Sequence, residues 1–244
     1  MPEGPSILLM KENLVKFTGK KVTAVEGNAK IEKTLLEGKI LREIKTFGKQ
    51  TYLVFDEISV RIHLLMFGSY SINEQTKPGS RMRLGLYFRS GAMFFYTCSV
   101  KLTDNASLAE IDWDADVLSN KWNPGHVMEK LKSHAGSQVC DVLLDQHIFS
   151  GVGNIIKNEV LFRIGVQPES LVGNLPPQKL KELIAEARNY SFDFLKWKRA
   201  FVLKKHWLVH NKGLCSSCGG RLTKKLTGKT NRRSFYCETD QKKY

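Results

Sequence analysis

The sequence predicts an α+β protein: an antiparallel β-sandwich with an N-terminal helix, then a helical domain, then a small hairpin that needs a staple. Three observations predict it. Apolar residues recur at strand spacing in the first half and at helical spacing in the second. Three of the five cysteines crowd together near the end of the sequence. The positive charge is confined to the same tail.

After Pro5, the residues Ile7, Met10, Leu14 and Phe17 share one face of a helix, and Gly19 follows where that helix would stop. From Lys21 to Leu102 the pattern becomes short alternating runs: Tyr52 and Val54; Val60, Ile62 and Leu64; Met82, Leu84, Leu86 and Phe88, with Arg89-Ser90-Gly91 as a turn. Such runs suit an antiparallel sandwich or barrel. Thr103 to Asn123 carries five acids, Trp113 and Trp122 without a clear period, and is expected to link domains. Beyond Pro124, helical spacing sets in with Val127 and Leu131, then Val139, Val142 and Leu143, then Ile155, Val160 and Leu161, then Leu180 to Leu195. The expected division is a sandwich over 1–118, a helical domain over 119–204 and a hairpin over 205–244, the last too poor in apolar residues to fold unaided.

The 244 residues carry 38 Lys and Arg against 24 Asp and Glu, a formal charge of +14 and a pI near 9.6. Residues 196–244 hold 14 of the cations and two acids, Glu238 and Asp240, so +12 of the charge lies there. A basic tail beside cysteines points to a polyanionic partner. No window reaches about 18 consecutive apolar residues, and no basic segment precedes an apolar signal core. The expectation is a soluble cytoplasmic protein. An odd cysteine count with a terminal cluster fits a metal site in a reducing compartment better than disulfides; Cys98 and Cys140, in apolar surroundings, are expected to be inert core thiols.

Cys215-x2-Cys218, 18 intervening residues, then Cys237-x2-Asp240 has the spacing of two metal knuckles facing each other. Three thiolates and a carboxylate suit tetrahedral zinc. The fourth place is open to His206, His210, Glu238 or water, and a metal-free hairpin with spare thiols is the alternative. Lys224, Lys225, Lys229, Arg232 and Arg233 inside this loop either grip phosphates or form a solvated face. Gly151-Val152-Gly153-Asn154 reads as a tight turn between helices, with Asn154 as cap of the second and a phosphate site at its N-terminus; alone, an ordinary helix-turn-helix also explains it.

Four landmarks taken together resemble one family. Met1-Pro2-Glu3-Gly4-Pro5, Phe47-Gly48-Lys49, Leu143 to Phe162, and Arg232 five residues before Cys237 follow the order found in the formamidopyrimidine-DNA glycosylase/endonuclease VIII family, closer to its endonuclease VIII branch. The resemblance implies a β-sandwich joined to a helix-two-turn-helix domain with a C-terminal zinc finger, and damaged DNA bound in the cleft between them. It also implies base excision repair by a glycosylase and abasic-site lyase acting as a monomer on double-stranded DNA that contains a damaged base or abasic site.

By that resemblance Pro2, once Met1 is removed, is the nucleophile that attacks the sugar C1′ and forms an iminium. Glu3 is the proton donor, Lys49 assists β-elimination and Arg232 is linked to δ-elimination. Leu65-Met66-Phe67 sits where the family wedges side chains into the gap left by an extruded nucleotide, although strand alternation would place some of these residues in the core. Asn154 and Arg232 are expected to clamp phosphates, and Cys215, Cys218, Cys237 and Asp240 to hold one structural zinc. The segment Phe94 to Leu102 lacks the Pro-Arg-Arg-Phe loop of the oxidised-purine branch, which favours oxidised pyrimidines. Ser6 stands where the family has a second glutamate. That departure leaves a second reading, a binder of damaged or abasic DNA that has lost its chemistry.

Overall fold

The computed structural model describes residues 2–244; Met1, and with it the expected removal of Met1, lies outside the described residues. The chain divides into two compact units, Met1–Ile111 and Asp112–Tyr244, with the division inside the acidic segment.

The first unit opens with α1 (Gly4–Leu14), where Pro5 supplies a preset helical φ at the start. The chain continues as a 3-10 turn to Phe17, and Gly19 ends it at φ 79°. Eight strands follow: β1 (Val22–Glu26), β2 (Glu43–Phe47), β3 (Gln50–Val54), β4 (Ile58–His63), β5 (Ser69–Ile72), β6 (Met82–Phe88), β7 (Gly91–Tyr96) and β8 (Ser99–Asp104), then the short α2 (Ala106–Ala109). They form two antiparallel sheets, ordered β1-β6-β7-β5 and β2-β3-β4-β8. One core holds both sheets and the helix together: Ile7, Met10, Leu14 and Phe17 pack with Val22, Leu84, Leu86 and Phe95 of the first sheet and Ile44, Leu53 and Val60 of the second. This is the expected sandwich, and each fully buried side chain of this size contributes about 1.5–3 kcal/mol relative to exposure.

Two face assignments differ from the alternation. In β3 the core side chain is Leu53, and Tyr52 is buried in another direction, its hydroxyl donating to Gln50 Oε1 at 2.9 Å. In β6 a register shift against β7 between Met82 and Leu84 moves Met82 out of line with Leu84. Met82 packs instead with Ala92, Phe94 and Tyr96 in a separate small cluster. Thr97 at φ 50° is part of the short turn that joins β7 to β8.

The second unit contains α3 (Pro124–Ser133), α4 (Val139–Leu144), α5 (Asn154–Arg163), α6 (Pro177–Arg199) and the hairpin of β9 (Thr223–Thr227) and β10 (Arg232–Tyr236). Asn123 caps α3, its Oδ1 accepting from Gly125 N at 3.0 Å and His126 N at 3.3 Å, with Pro124 as first helical residue. Val127, Leu131, Val139, Leu143, Phe149, Ile156, Val160, Leu183 and Tyr190 share the main core. The hairpin has little apolar material of its own and takes Phe162 of α5 into a small core with Val209, Leu222 and Phe235. Cys98 and Cys140 are both buried, and burial raises both thiol pKa values, that of Cys98 to about 11. Neither is poised for reaction. No helix among the described residues is long and apolar enough to cross a membrane.

Candidate active site and metal centre

In the first unit, Pro2 is half-buried and Glu3 occupies the position before α1 in extended conformation, its carbonyl accepting from Ser6 N at 2.8 Å and Ile7 N at 3.2 Å. The Glu3 residue is only 1% exposed. A carboxylic side chain withheld from water is unusual, because desolvating its charged form is costly. Helix α1 packs on β2 and β3, so Pro2 and Glu3 belong to the same packed assembly as the β2–β3 turn. That turn is the two residues Gly48-Lys49, with Phe47 paired to Gln50. Gly48 has φ 54°, as the first central residue of a type II′ turn requires. Lys49 follows it, half-buried.

His63, at the end of β4, pairs with Gln50 across the ladder. Burial, then the charges of Lys49 and Arg61, lower its pKa. A neutral ring can accept through Nδ1, and it does so from Leu65 N at 3.0 Å. This bond and that from Gly68 N to Leu64 O, at 2.8 Å, close a compact turn in which Leu65 adopts φ 55°. A Cβ on Gly68 would collide with the Leu64 carbonyl. The outcome is three consecutive apolar side chains held out from the unit: Leu65 is 48% exposed, Met66 51% and Phe67 76%. Leu65 is therefore not a core residue.

In the second unit the link from α4 to α5 is a double turn knitted by two side chains. Asp145 Oδ1 accepts from His147 N at 2.8 Å. Gln146 accepts from Gly151 N at 3.1 Å and donates to the carbonyls of Leu144 and Val152 at 2.8 and 3.1 Å. Gly151 sits at φ 98°, open to glycine. Asn154 is not the cap of α5, as the sequence suggested. Gly153 takes that place and Asn154 is the first helical residue. Its Nδ2 donates to the Arg233 carbonyl at 2.9 Å, while its Oδ1 is buried without a hydrogen-bond partner among the described residues.

This contact is one of several that fasten the hairpin to the helices. Lys157, fully buried, donates to Ser234 Oγ at 2.8 Å and to the Arg233 carbonyl at 3.4 Å. Asn158 Oδ1 accepts from Phe235 N at 3.4 Å. Asp141 on α4 accepts from Lys229 N at 3.0 Å and Thr230 N at 3.3 Å in the turn of the hairpin, and a Cβ on Gly228 would collide with its carboxylate. Arg232, the first residue of β10, is thus bracketed by a turn held from α4 and a carbonyl held from α5.

Glu159, also fully buried, supports the segment leading to the hairpin: it accepts from the backbone N–H groups of Leu208, Val209 and His210 and pairs with Arg163 at 2.6 Å. His210 Nδ1 lies 3.1 Å from Asn158 Nδ2, and burial above all lowers its pKa to about 4, so the neutral ring accepts this bond.

The metal cluster forms as the spacing predicts. One ligand atom each from Cys215, Cys218, Cys237 and Asp240 lie within 4.8 Å of one another. Cys218 Sγ is 3.5 Å from Cys237 Sγ, and Asp240 Oδ2 is 2.9 Å from Cys215 Sγ and 3.3 Å from Cys237 Sγ. A tetrahedral ion with metal–sulfur bonds of about 2.3 Å and metal–oxygen bonds of about 2.0 Å needs separations of roughly 3.8 and 3.5 Å, so Asp240 and Cys215 would part by about half an ångström to admit it. Hydrogen bonds from the Cys215 thiol and its neighbours hold the Asp240 carboxyl below its usual range. Of the other candidate side chains, His206 stacks on Trp197, His210 bonds to Asn158 and Glu238 accepts from Thr223 Oγ1 at 2.9 Å, while Asp240 lies in the cluster. Gln241 braces the second knuckle, accepting from Cys237 N at 2.9 Å and donating to the Val166 carbonyl at 2.7 Å.

Lys157, Asn158, Glu159, Asp141 and His63 are contributions that sequence reasoning missed. A signal existed for three of them: Lys157-Asn158-Glu159 interrupts an otherwise apolar helix, where charged residues are tolerated only with partners.

Two family models match the chain. The formamidopyrimidine-DNA glycosylase N-terminal domain matches residues 1–104 and the formamidopyrimidine-DNA glycosylase H2TH domain matches residues 114–190. Among curated proteins, endonuclease 8-like 3 of Bos taurus is 31% identical over 82% of this chain, and endonuclease 8-like 2 of Bos taurus is 34% identical over 62% of it. The chain spans about a third of the length of the former, 34%, and 47% of the latter. Among solved structures, Lactococcus lactis Fpg bound to DNA containing N7-benzyl-Fapy-dG superposes with a TM-score of 0.87 at 21% identity, covering 99% of this chain and 100% of that one. A viral DNA glycosylase superposes with a TM-score of 0.85 at 21% identity, covering 98% and 100%. At such identity the superpositions establish the fold. With the sandwich and the double-turn helical domain each matched by a family model, and endonuclease 8-like proteins similar over most of its length, the chain belongs to the formamidopyrimidine-DNA glycosylase/endonuclease VIII family, on the endonuclease VIII-like side.

Proposed function

We propose that this chain is a bifunctional DNA glycosylase and abasic-site lyase of base excision repair, acting as a monomer on double-stranded DNA with a damaged base, oxidised pyrimidines favoured. The observation that carries the reading is Glu3, a buried acid directly beside a proline nitrogen at the start of α1. With Met1 removed, Pro2 presents a secondary amine whose unperturbed pKa of about 8 leaves a useful fraction as free base near neutrality. The nitrogen attacks C1′ of the extruded nucleotide and the bond to the base breaks. The nitrogen then loses its own proton, and its lone pair closes a cationic iminium as the C1′–O4′ bond of the sugar breaks, with Glu3 protonating the departing ring oxygen. Lys49, on the turn that joins the two strands packed against α1, assists loss of the C2′ proton, whose electrons expel the 3′ oxygen. Arg232 serves the second elimination and, with Asn154, holds phosphates.

Leu65, Met66 and Phe67 form a wedge that fills the gap left by the extruded nucleotide, offsetting an unstacking cost of a few kcal/mol. Cys215, Cys218, Cys237 and Asp240 would hold one zinc ion whose role is to brace the hairpin. Ser6, half-buried in the first turn of α1, supports the second reading, a DNA binder without chemistry. Borohydride trapping on abasic duplex separates them: covalent capture lost in Pro2→Gly supports the enzyme, and tight binding by the unaltered chain without capture supports the binder. Intact mass, measured first, establishes whether Met1 has been removed.

A further inference from the structure

We infer that the end of α6 carries a second nucleic-acid contact, in which the Phe201 ring stacks on an unpaired base while Lys196, Lys198, Lys204 and Lys205 neutralise the adjoining phosphates. Helix α6 closes with bonds from Phe201 N to Lys198 O at 3.2 Å and from Val202 N to Trp197 O at 2.9 Å. Phe201 itself sits at φ 59°. This left-handed position at a helix end ordinarily belongs to glycine, because a Cβ crowds the backbone there. A phenylalanine would be compensated if its ring were packed, yet Phe201 is 97% exposed, the most exposed of the large apolar residues among those described. Neither backbone preference nor burial explains this residue.

The tip is braced rather than loose. Leu203 returns into the core, and Trp197 stacks on His206 with ring centroids 4.1 Å apart and planes 3° from parallel. Lys196 and Lys198 in the last turn of α6, and Lys204 and Lys205 in the 3-10 turn that follows, are all exposed. No Asp or Glu occurs from 196 to 237, the nearest acid before them being Asp193. An apolar protein partner would meet a segment rich in exposed cations here. A partner that satisfies both features carries negative charge and flat aromatic faces together, as unpaired nucleotides do.

The inference rests on the chain being a DNA binder but not on its chemistry. Its test uses the full chain and two abasic duplexes, one blunt and one with a single-stranded extension containing 2-aminopurine. Phe201→Gly should raise the melting temperature, since the strained position is relieved, and yet weaken binding of the extended probe by roughly tenfold. The 2-aminopurine quenching should disappear with it, while affinity for the blunt duplex stays as before. Lys204→Gln with Lys205→Gln should make the salt dependence shallower for the extended probe. Equal affinity and quenching in Phe201→Gly overturn the inference. So does unchanged DNA binding with loss of self-association in sedimentation, which would assign the surface to a second copy of the chain. If the unaltered chain binds neither probe, the functional reading falls and takes this inference with it.

Discussion

Glu159 offers the sharpest test of how the second unit is held together. Its carboxylate satisfies three backbone N–H groups, from Leu208, Val209 and His210, and pairs with Arg163, while being fully buried. Glu159→Ala leaves three donors and a guanidinium without their acceptor. Each buried unsatisfied donor costs about 1–3 kcal/mol, so the simple sum is about 3–9 kcal/mol. Water entering the space left behind should hold the loss near the lower half, about 4 kcal/mol. Glu159→Gln keeps an oxygen that can face Val209 and His210 but presents an amide to Leu208 and Arg163, and should cost about half as much. At roughly 2–4 °C per kcal/mol for a chain of this size, the melting temperature should fall by about 10 °C and about 5 °C respectively. Calorimetry reads both, and metal analysis of the same samples shows whether the hairpin survives. A shift below about 3 °C for the alanine variant would refute the reasoning, as would equal shifts for the two variants.

Three further outcomes are expected. Protein purified without added metal should hold one zinc ion, and chelation should expose Cys215, Cys218 and Cys237 to thiol reagents while Cys98 and Cys140 stay protected; a metal content near zero with full DNA binding would retire the metal centre. His210 has a pKa lowered to about 4 in the folded chain against about 6.5 when unfolded, so its contribution to stability is complete above pH 6.5 and is lost as pH falls from there toward 4; denaturant titrations at several pH values should show this slope, and an identical slope in His210→Asn would dismiss it. Arg232→Ala should weaken binding to abasic and undamaged duplex alike with a shallower salt dependence, whereas Asn154→Ala should weaken it at an almost unaltered slope, and unchanged affinity in Arg232→Ala would make that arginine solvated surface.

The two-layer plan of the first unit was legible because burial on one face leaves a period: Ile7, Met10, Leu14 and Phe17 follow the helical one, and Leu84 and Leu86 the strand one. The cysteine spacing likewise announced its cluster, since a short loop on either side of a hairpin constrains where four ligand atoms can go. What the period could not show was where it breaks. The irregular β6–β7 register that separates Met82 from Leu84, and the choice of Leu53 over Tyr52 as the core residue, depend on how strands pair, which no single strand encodes.

The candidate site divides in the same way. Pro2, Glu3, Lys49 and Arg232 are singled out by the resemblance of the short motifs around them to the family, taken in their order along the chain. That Glu3 is buried, and that Asn154 begins α5 instead of capping it, followed only from packing. The fastening of the hairpin by Asp141, Asn154, Lys157 and Asn158 joins residues more than seventy positions apart in the chain. The sequence by itself therefore determined the order of elements and the spacing of the Cys215, Cys218, Cys237 and Asp240 cluster, set by neighbours within a few residues, while its resemblance to the family supplied the chemical candidates. The burial of charges and the positioning of Arg232 were decided by tertiary structure, because a buried polar group is stable only beside partners that the fold alone brings to it.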